Sequence, residues 1–120
     1  MNHYLVFCNL KDTHRDLEFA DAIHAYLGRL KNGGLISGFS LTRRKLGFGV
    51  PTLGEFQITI LTETLAGLDQ AFETVAARTG ELERLHANVY SRVKDVATIL
   101  MRDFPDPQRV RSAVPGRDDR

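Results

Sequence analysis

The chain has no tryptophan and one cysteine, Cys8, among its 120 residues. A single cysteine excludes an intrachain disulfide, which suits a reducing compartment and leaves stability to core packing. The four histidines, His3, His14, His24 and His86, show neither HxH nor HExxH spacing. With one thiol and scattered imidazoles, no metal site of converging ligands is expected. Charge of one sign is also missing. Sixteen basic residues face fifteen acidic ones, a net charge of +1. A dedicated nucleic-acid binder usually carries a basic excess, so the balance weighs against such a partner. Long hydrophobic runs are absent too. The early apolar run, Tyr4 to Cys8, is too short for a signal-peptide core, and no basic segment precedes it. No run approaches the roughly 18 apolar residues of a membrane span. The expectation is a cytoplasmic protein with no membrane partner.

What is there is ordinary for a globular domain: 42% apolar and 26% charged residues. The length fits one domain with a core of modest size. The chain is organised around residues 40–60, SLTRRKLGFGVPTLGEFQITI. This stretch reads as two strands joined by a loop of three glycines and a proline. Strands joined so directly pair antiparallel. Phe39 and Leu41 share one face of the first strand, with Ser40, Thr42 and Arg44 on the other. Phe56, Ile58 and Ile60 form the apolar face of the second, opposite Gln57 and Thr59.

The flanking segments each read as strand and helix. His3 to Leu10 is a compact run rich in β-branched and aromatic residues, apolar on both faces, which places it centrally in a sheet. Thr13 is a candidate N-cap, with Asp16 three residues on in the capping-box position. A helix over Asp16 to Asn32 follows from Phe19, Ile23, Tyr26, Leu27 and Leu30, spaced by threes and fours, and Gly33-Gly34 ends it. After the hairpin, Thr64 caps a helix over Leu65 to Arg78, with Leu65, Leu68, Phe72, Val75 and Ala76 on its inner stripe. Thr79-Gly80 interrupts, and a further helix runs to about Val93. A last strand spans Val96 to Arg102, again apolar on both faces. From Asp103 the composition turns to proline and charge. Residues 112–120 read as a flexible tail, leaving 1–111 as the folded domain.

The element order is β-α-β-β-α-(α)-β. With right-handed crossovers it gives an α+β, ferredoxin-like fold, a four-stranded antiparallel sheet with its helices on one face. The outer strands of sequence are apolar on both faces, yet helices cover only one. An uncovered apolar sheet face of that size is expected to meet a partner, most simply a second copy about a two-fold axis.

Three segments, DLEFADAIHAYLGRLK at 16–31, LTRRKLGFGVPTLGEF at 41–56 and RDFPDPQRV at 102–110, strengthen that reading. Through them the chain resembles the dimeric α/β-barrel superfamily and, within it, a small bacterial family of uncharacterised function. The resemblance implies the fold and a homodimer. It brings no catalytic residue and no cofactor. Similar dimers elsewhere in the superfamily are cofactor-free monooxygenases, haem-degrading enzymes and lactone isomerases. Members of the first two kinds often use a Trp or a His–Asn pair, and this chain has no Trp.

Six residues are candidates for a small-molecule site at the sheet face. Thr42, Arg44, Gln57 and Thr59 share the open side of the hairpin, and His3 and Tyr4 could join from the neighbouring strand. Arg44 belongs to the basic run Arg43-Arg44-Lys45, which suits a carboxylate or phosphate. The competing explanation of that run is cross-strand pairing with Glu55. The glycines at 47, 49 and 54 do not make a phosphate loop, because no helix start follows them. The β-α-β-β-α-β order is also that of the RRM, whose chemistry needs exposed aromatics on the two central strands. Here Tyr4 is the one candidate platform, and Gln57 and Thr59 occupy the third strand. Cys8 reads as a small core residue. The function expected is binding of a partly apolar or anionic organic molecule, with cofactor-free monooxygenase or isomerase chemistry as its enzymatic form. The alternative is an interaction dimer with no small-molecule site.

Overall fold

The computed structural model describes residues 1–111, and the expected tail at 112–120 lies outside the described residues. Strand β1 (Asn2–Leu10) leads through a 3-10 turn at Thr13–Arg15 into helix α1 (Asp16–Asn32). Strands β2 (Gly38–Arg43) and β3 (Phe56–Thr62) form the hairpin. Helices α2 (Leu65–Ala76) and α3 (Gly80–Tyr90) precede strand β4 (Val93–Arg102). All pairings are antiparallel, in the order β2-β3-β1-β4. The fold is therefore α+β and ferredoxin-like, and β1 is central as its two apolar faces require.

One core forms between the sheet and the helices. Val6, Cys8 and Leu10 from β1 meet Phe56, Ile58 and Ile60 from β3. The stripe of α1, Phe19, Ala22, Ile23, Tyr26, Leu27 and Leu30, closes over them, with Leu85 and Val89 of α3. Phe19 and Phe56 meet edge to face at 5.3 Å. Each such buried side chain contributes about 1.5–3 kcal/mol before the entropy of ordering is subtracted.

The ends of the elements differ from the sequence reading in instructive ways. Thr13 does not cap α1. Asp12 takes that part for the preceding 3-10 turn, accepting from the His14 amide at 3.0 Å, and α1 begins without a side-chain cap. Thr64 does cap α2, accepting from the Gly67 amide at 2.9 Å. Helix α3 stops at Tyr90 rather than Val93, because Val93 already pairs with Leu10 as the first residue of β4. Helix α2 buries Leu68 and Ala71, while Leu65 and Phe72 of its apolar stripe stay 62% and 47% exposed.

Strand register sorts the sheet face opposite the helices. His3, Leu5 and Phe7 of β1 stand there beside Leu61, Thr59 and Gln57 of β3. Ser40 and Thr42 of β2 extend the row on one side. Met101, Ile99 and Ala97 of β4 extend it on the other. The open face is thus divided. Its β2–β3 half is mostly polar and its β1–β4 half mostly apolar.

Candidate functional site

The open face ends in a small pocket beneath the hairpin loop. Phe7, Thr42, Arg43, Arg44, Gln57 and the loop from Phe48 to Glu55 enclose about 180 Å³ there. Three local features build it. Leu46 and Gly47, at φ of +56° and +74°, turn the chain at the tip of the hairpin, a conformation that glycine adopts readily. Gly54 lies so close to β1 that a Cβ would stand 2.3 Å from the Cys8 carbonyl carbon. The Glu55 amide then donates to Asn9 Oδ1 at 2.9 Å, tying the loop's return to β1.

Arg44 organises the loop. Its Nη2 donates to the carbonyls of Val50 at 3.2 Å and Leu53 at 2.7 Å. Gly49 leaves room for the guanidinium, since a Cβ would lie 2.3 Å from Nε. Among the described residues no carboxylate stands within ion-pair distance of Arg44. Arg43 is its opposite. It points to the helix side and lies over the Phe56 ring at 4.9 Å. It pairs there with Glu55 and, at 3.0 Å, with Asp16. The cross-strand explanation of the basic run therefore holds for Arg43, and Arg44 keeps an unpaired charge.

Five of the six sequence candidates stand on the open face. Thr42 and Gln57 are cross-strand partners, and Thr42 Oγ1 donates to the Gln57 carbonyl at 3.4 Å. Gln57 Nε2 donates to Thr59 Oγ1 at 3.1 Å. Arg44 completes that group. His3 is on the same face but four residues along β1 from Phe7, roughly 13 Å at the usual strand rise. It contacts Asp103 Oδ1 through Nε2 at 2.6 Å, and the terminal amine lies 3.3 Å from Oδ2. These two contacts, that of His3 first, hold the Asp103 carboxyl below its ordinary range. Tyr4 is separated from the rest. It faces the helices and meets Phe72 of α2 edge to face at 5.2 Å. The aromatic on the open face of β1 is Phe7, which the sequence reading left out. Alternation sets Phe7 opposite Tyr4, but the sequence carries no signal for which of the two faces the helices cover.

Cys8 is fully buried, and burial pushes its thiol up to about 11, which removes it from nucleophilic roles. Among the described residues no group of three or more His, Cys, Asp or Glu side chains is placed to hold a metal ion. No described helix is long and apolar enough to cross a membrane.

These features define a ferredoxin-like α+β protein with a divided open sheet face and a loop-covered corner. Residues 1–114 match the family of unknown function DUF6614, and the chain belongs to that family. No curated protein matches it. Solved structures share the fold. Protein At3g17210 of Arabidopsis thaliana aligns over 88% of this chain and 98% of its own, with a TM-score of 0.69 and 7% identity. A dimeric ferredoxin-like protein of unknown function from Jannaschia sp. CCS1 covers 85% and 98%, at 0.62 and 11%. An antibiotic biosynthesis monooxygenase covers 88% and 100%, at 0.58 and 17%.

Proposed function

We propose that the protein is a homodimer joined through its open sheet faces, and that each protomer holds a small, partly apolar, anionic molecule at the Arg44 corner. The observation that carries the binding site is Arg44 itself. A half-buried guanidinium satisfied by carbonyls, with no carboxylate beside it, is a charge in want of an anion. Phe7 offers an apolar floor, and Thr42, Gln57 and Thr59 supply polar contacts. The homodimer is supported by the apolar half of the face and by structural relatives described as dimeric. Cofactor-free chemistry of monooxygenase or isomerase type is the enzymatic form of this reading. One structural relative is described as a monooxygenase.

Native mass spectrometry of the protein as purified tests the proposal. A dimer carrying an extra few hundred daltons, lost in Arg44→Ala, is the expected result. A dimer without added mass that also takes up no organic acid in calorimetry overturns the binding site and leaves an interaction dimer. A monomer overturns the face-to-face assembly.

A further inference from the structure

Where β1 ends, two connections are pinned side by side. Leu10 pairs with Val93 of β4. One residue further out, the Lys11 amide donates to the Arg92 carbonyl at 2.9 Å. The entry to α1 therefore lies against the turn that leaves α3. Between them is a cavity of about 240 Å³. Leu10 and Phe19, 3% and 0% exposed, form its floor. Lys11, Asp12, Arg15, Ser91 and Arg92 form its rim.

The rim is charged unlike the chain as a whole. The full sequence is close to balance, with sixteen basic and fifteen acidic residues, but the rim sets three cations against one carboxylate. Two of those cations have no carboxylate within ion-pair distance among the described residues. Lys11 has no side-chain partner there. Arg92 donates through Nε and Nη2 to the neutral oxygens of Asn88, at 2.9 and 3.1 Å. A guanidinium has five N–H donors, so closing the end of α3 leaves most of this one unused. Arg15 is the paired cation, held by Glu18, which is exposed and outside the rim. The Glu18 carboxyl is lowered first by its hydrogen bond from Arg15, and the charge of Arg92 is a further cause. Both guanidiniums thus act on the same place.

We infer that this cavity is a ligand site separate from the Arg44 corner, which takes a small phosphate monoester with a hydroxyl on its organic part. The phosphate meets Lys11, Arg92 and the Ser91 hydroxyl. Its two negative charges match the two cations that lack a carboxylate, and planar guanidinium donors suit its oxygens. Asp12 accepts from the His14 amide through Oδ1 at 3.0 Å, which leaves Oδ2 to accept from the ligand's hydroxyl. A bare anion makes no use of that carboxylate and is repelled by it. The carbon part of the ester covers Leu10 and Phe19. The cavity shares no residue with the Arg44 corner and stands independently of it.

The test titrates glycerol 3-phosphate, inorganic phosphate and glycerate into the full chain at constant low salt, followed by backbone amide NMR. The expected result is that glycerol 3-phosphate gives saturable shifts at Lys11, Asp12, Ser91 and Arg92. Inorganic phosphate and glycerate bind there at least about tenfold more weakly, the first having no hydroxyl for Asp12 and the second one charge in place of two. Lys11→Gln, at an exposed position that leaves the core untouched, weakens glycerol 3-phosphate about tenfold, the loss of one charge-assisted hydrogen bond. Arg92→Gln does the same, and Arg44→Ala changes nothing, so the two sites fail separately. No saturation, full affinity in Lys11→Gln, either simpler anion binding as tightly as glycerol 3-phosphate, or shifts confined to the loop from Phe48 to Glu55 would each overturn the site.

Discussion

At the scale of single residues, parity in a strand decides what a side chain can do. His3 and Tyr4 are neighbours, so they face opposite ways. His3 meets Asp103 on the open face, and Tyr4 meets Phe72 under α2. The alternation was legible in the sequence. Which face the helices cover was not, because β1 is apolar on both. Cys8 shares the covered side and gives a sharp prediction. Burial pushes its thiol up to about 11 in the folded chain, from an ordinary value of 9.0. The folded state therefore keeps a proton that the unfolded chain loses between these values. This contribution to stability is complete below pH 9 and disappears as pH rises toward 11. The native thiol should resist iodoacetamide at pH 8 for as long as the chain stays folded, and react fully in denaturant. Equal rates in both states would contradict its burial. Asp103 gives the opposite sign. Its carboxyl is lowered chiefly by His3, so its contribution is present above its ordinary 3.8 and is lost as pH falls through the folded value. In His3→Ala, an NMR titration of Asp103 should return toward 3.8. An unchanged titration would show that the contact does not form.

At the scale of elements, the hairpin was readable from its alternation and its glycines. Its loop was not. Residues 44–55 contain no periodicity, and the reasons for the glycines are tertiary: Gly54 lies against the β1 backbone and Gly49 against Arg44. Gly54→Ala has no room, because the nearest atoms belong to the Cys8 backbone. It should cost about 1–3 kcal/mol, the usual range for overpacking, and loosen the loop around Arg44. Denaturant unfolding measures the loss, and a variant as stable as the parent would refute the close approach. Helix α2 gives the milder case. Thr64→Ala removes the oxygen that accepts from the Gly67 amide and should cost about 1 kcal/mol. The same helix shows where periodicity misleads. Its stripe marks five apolar residues as inner, but of these only Leu68 is buried. The pattern reports amphipathicity and is silent on how much of the stripe the core has room for. Leu65 and Phe72 stay outside, in an open groove beside Leu100 of β4, the edge strand of the sheet.

At the scale of the whole molecule, the divided face is what the proposed assembly rests on. A four-stranded sheet with helices on one side leaves the other to solvent or to a partner. In the β1–β4 half, Ile99 and Met101 remain 37% and 53% exposed beside Leu5 and Phe7. A charge placed there would have no effect on a free monomer's core, since all four side chains point away from it. In a face-to-face dimer the same charge would be buried opposite apolar surface or its own symmetry mate, at a cost of several kcal/mol per interface. Ile99→Glu should therefore convert the proposed dimer to a folded monomer. Sedimentation equilibrium reads the mass, and far-UV circular dichroism checks that the sheet survives. Leu46→Glu, on the 83%-exposed hairpin tip, is the matching control and should leave the dimer intact. If Ile99→Glu sediments as the parent does, the open face is not the interface, and its apolar half must be accounted for by a ligand instead. If it is monomeric and also releases whatever molecule the parent carries, the Arg44 corner depends on the partner's sheet to close it. Assembly and binding would then be one property of the same face.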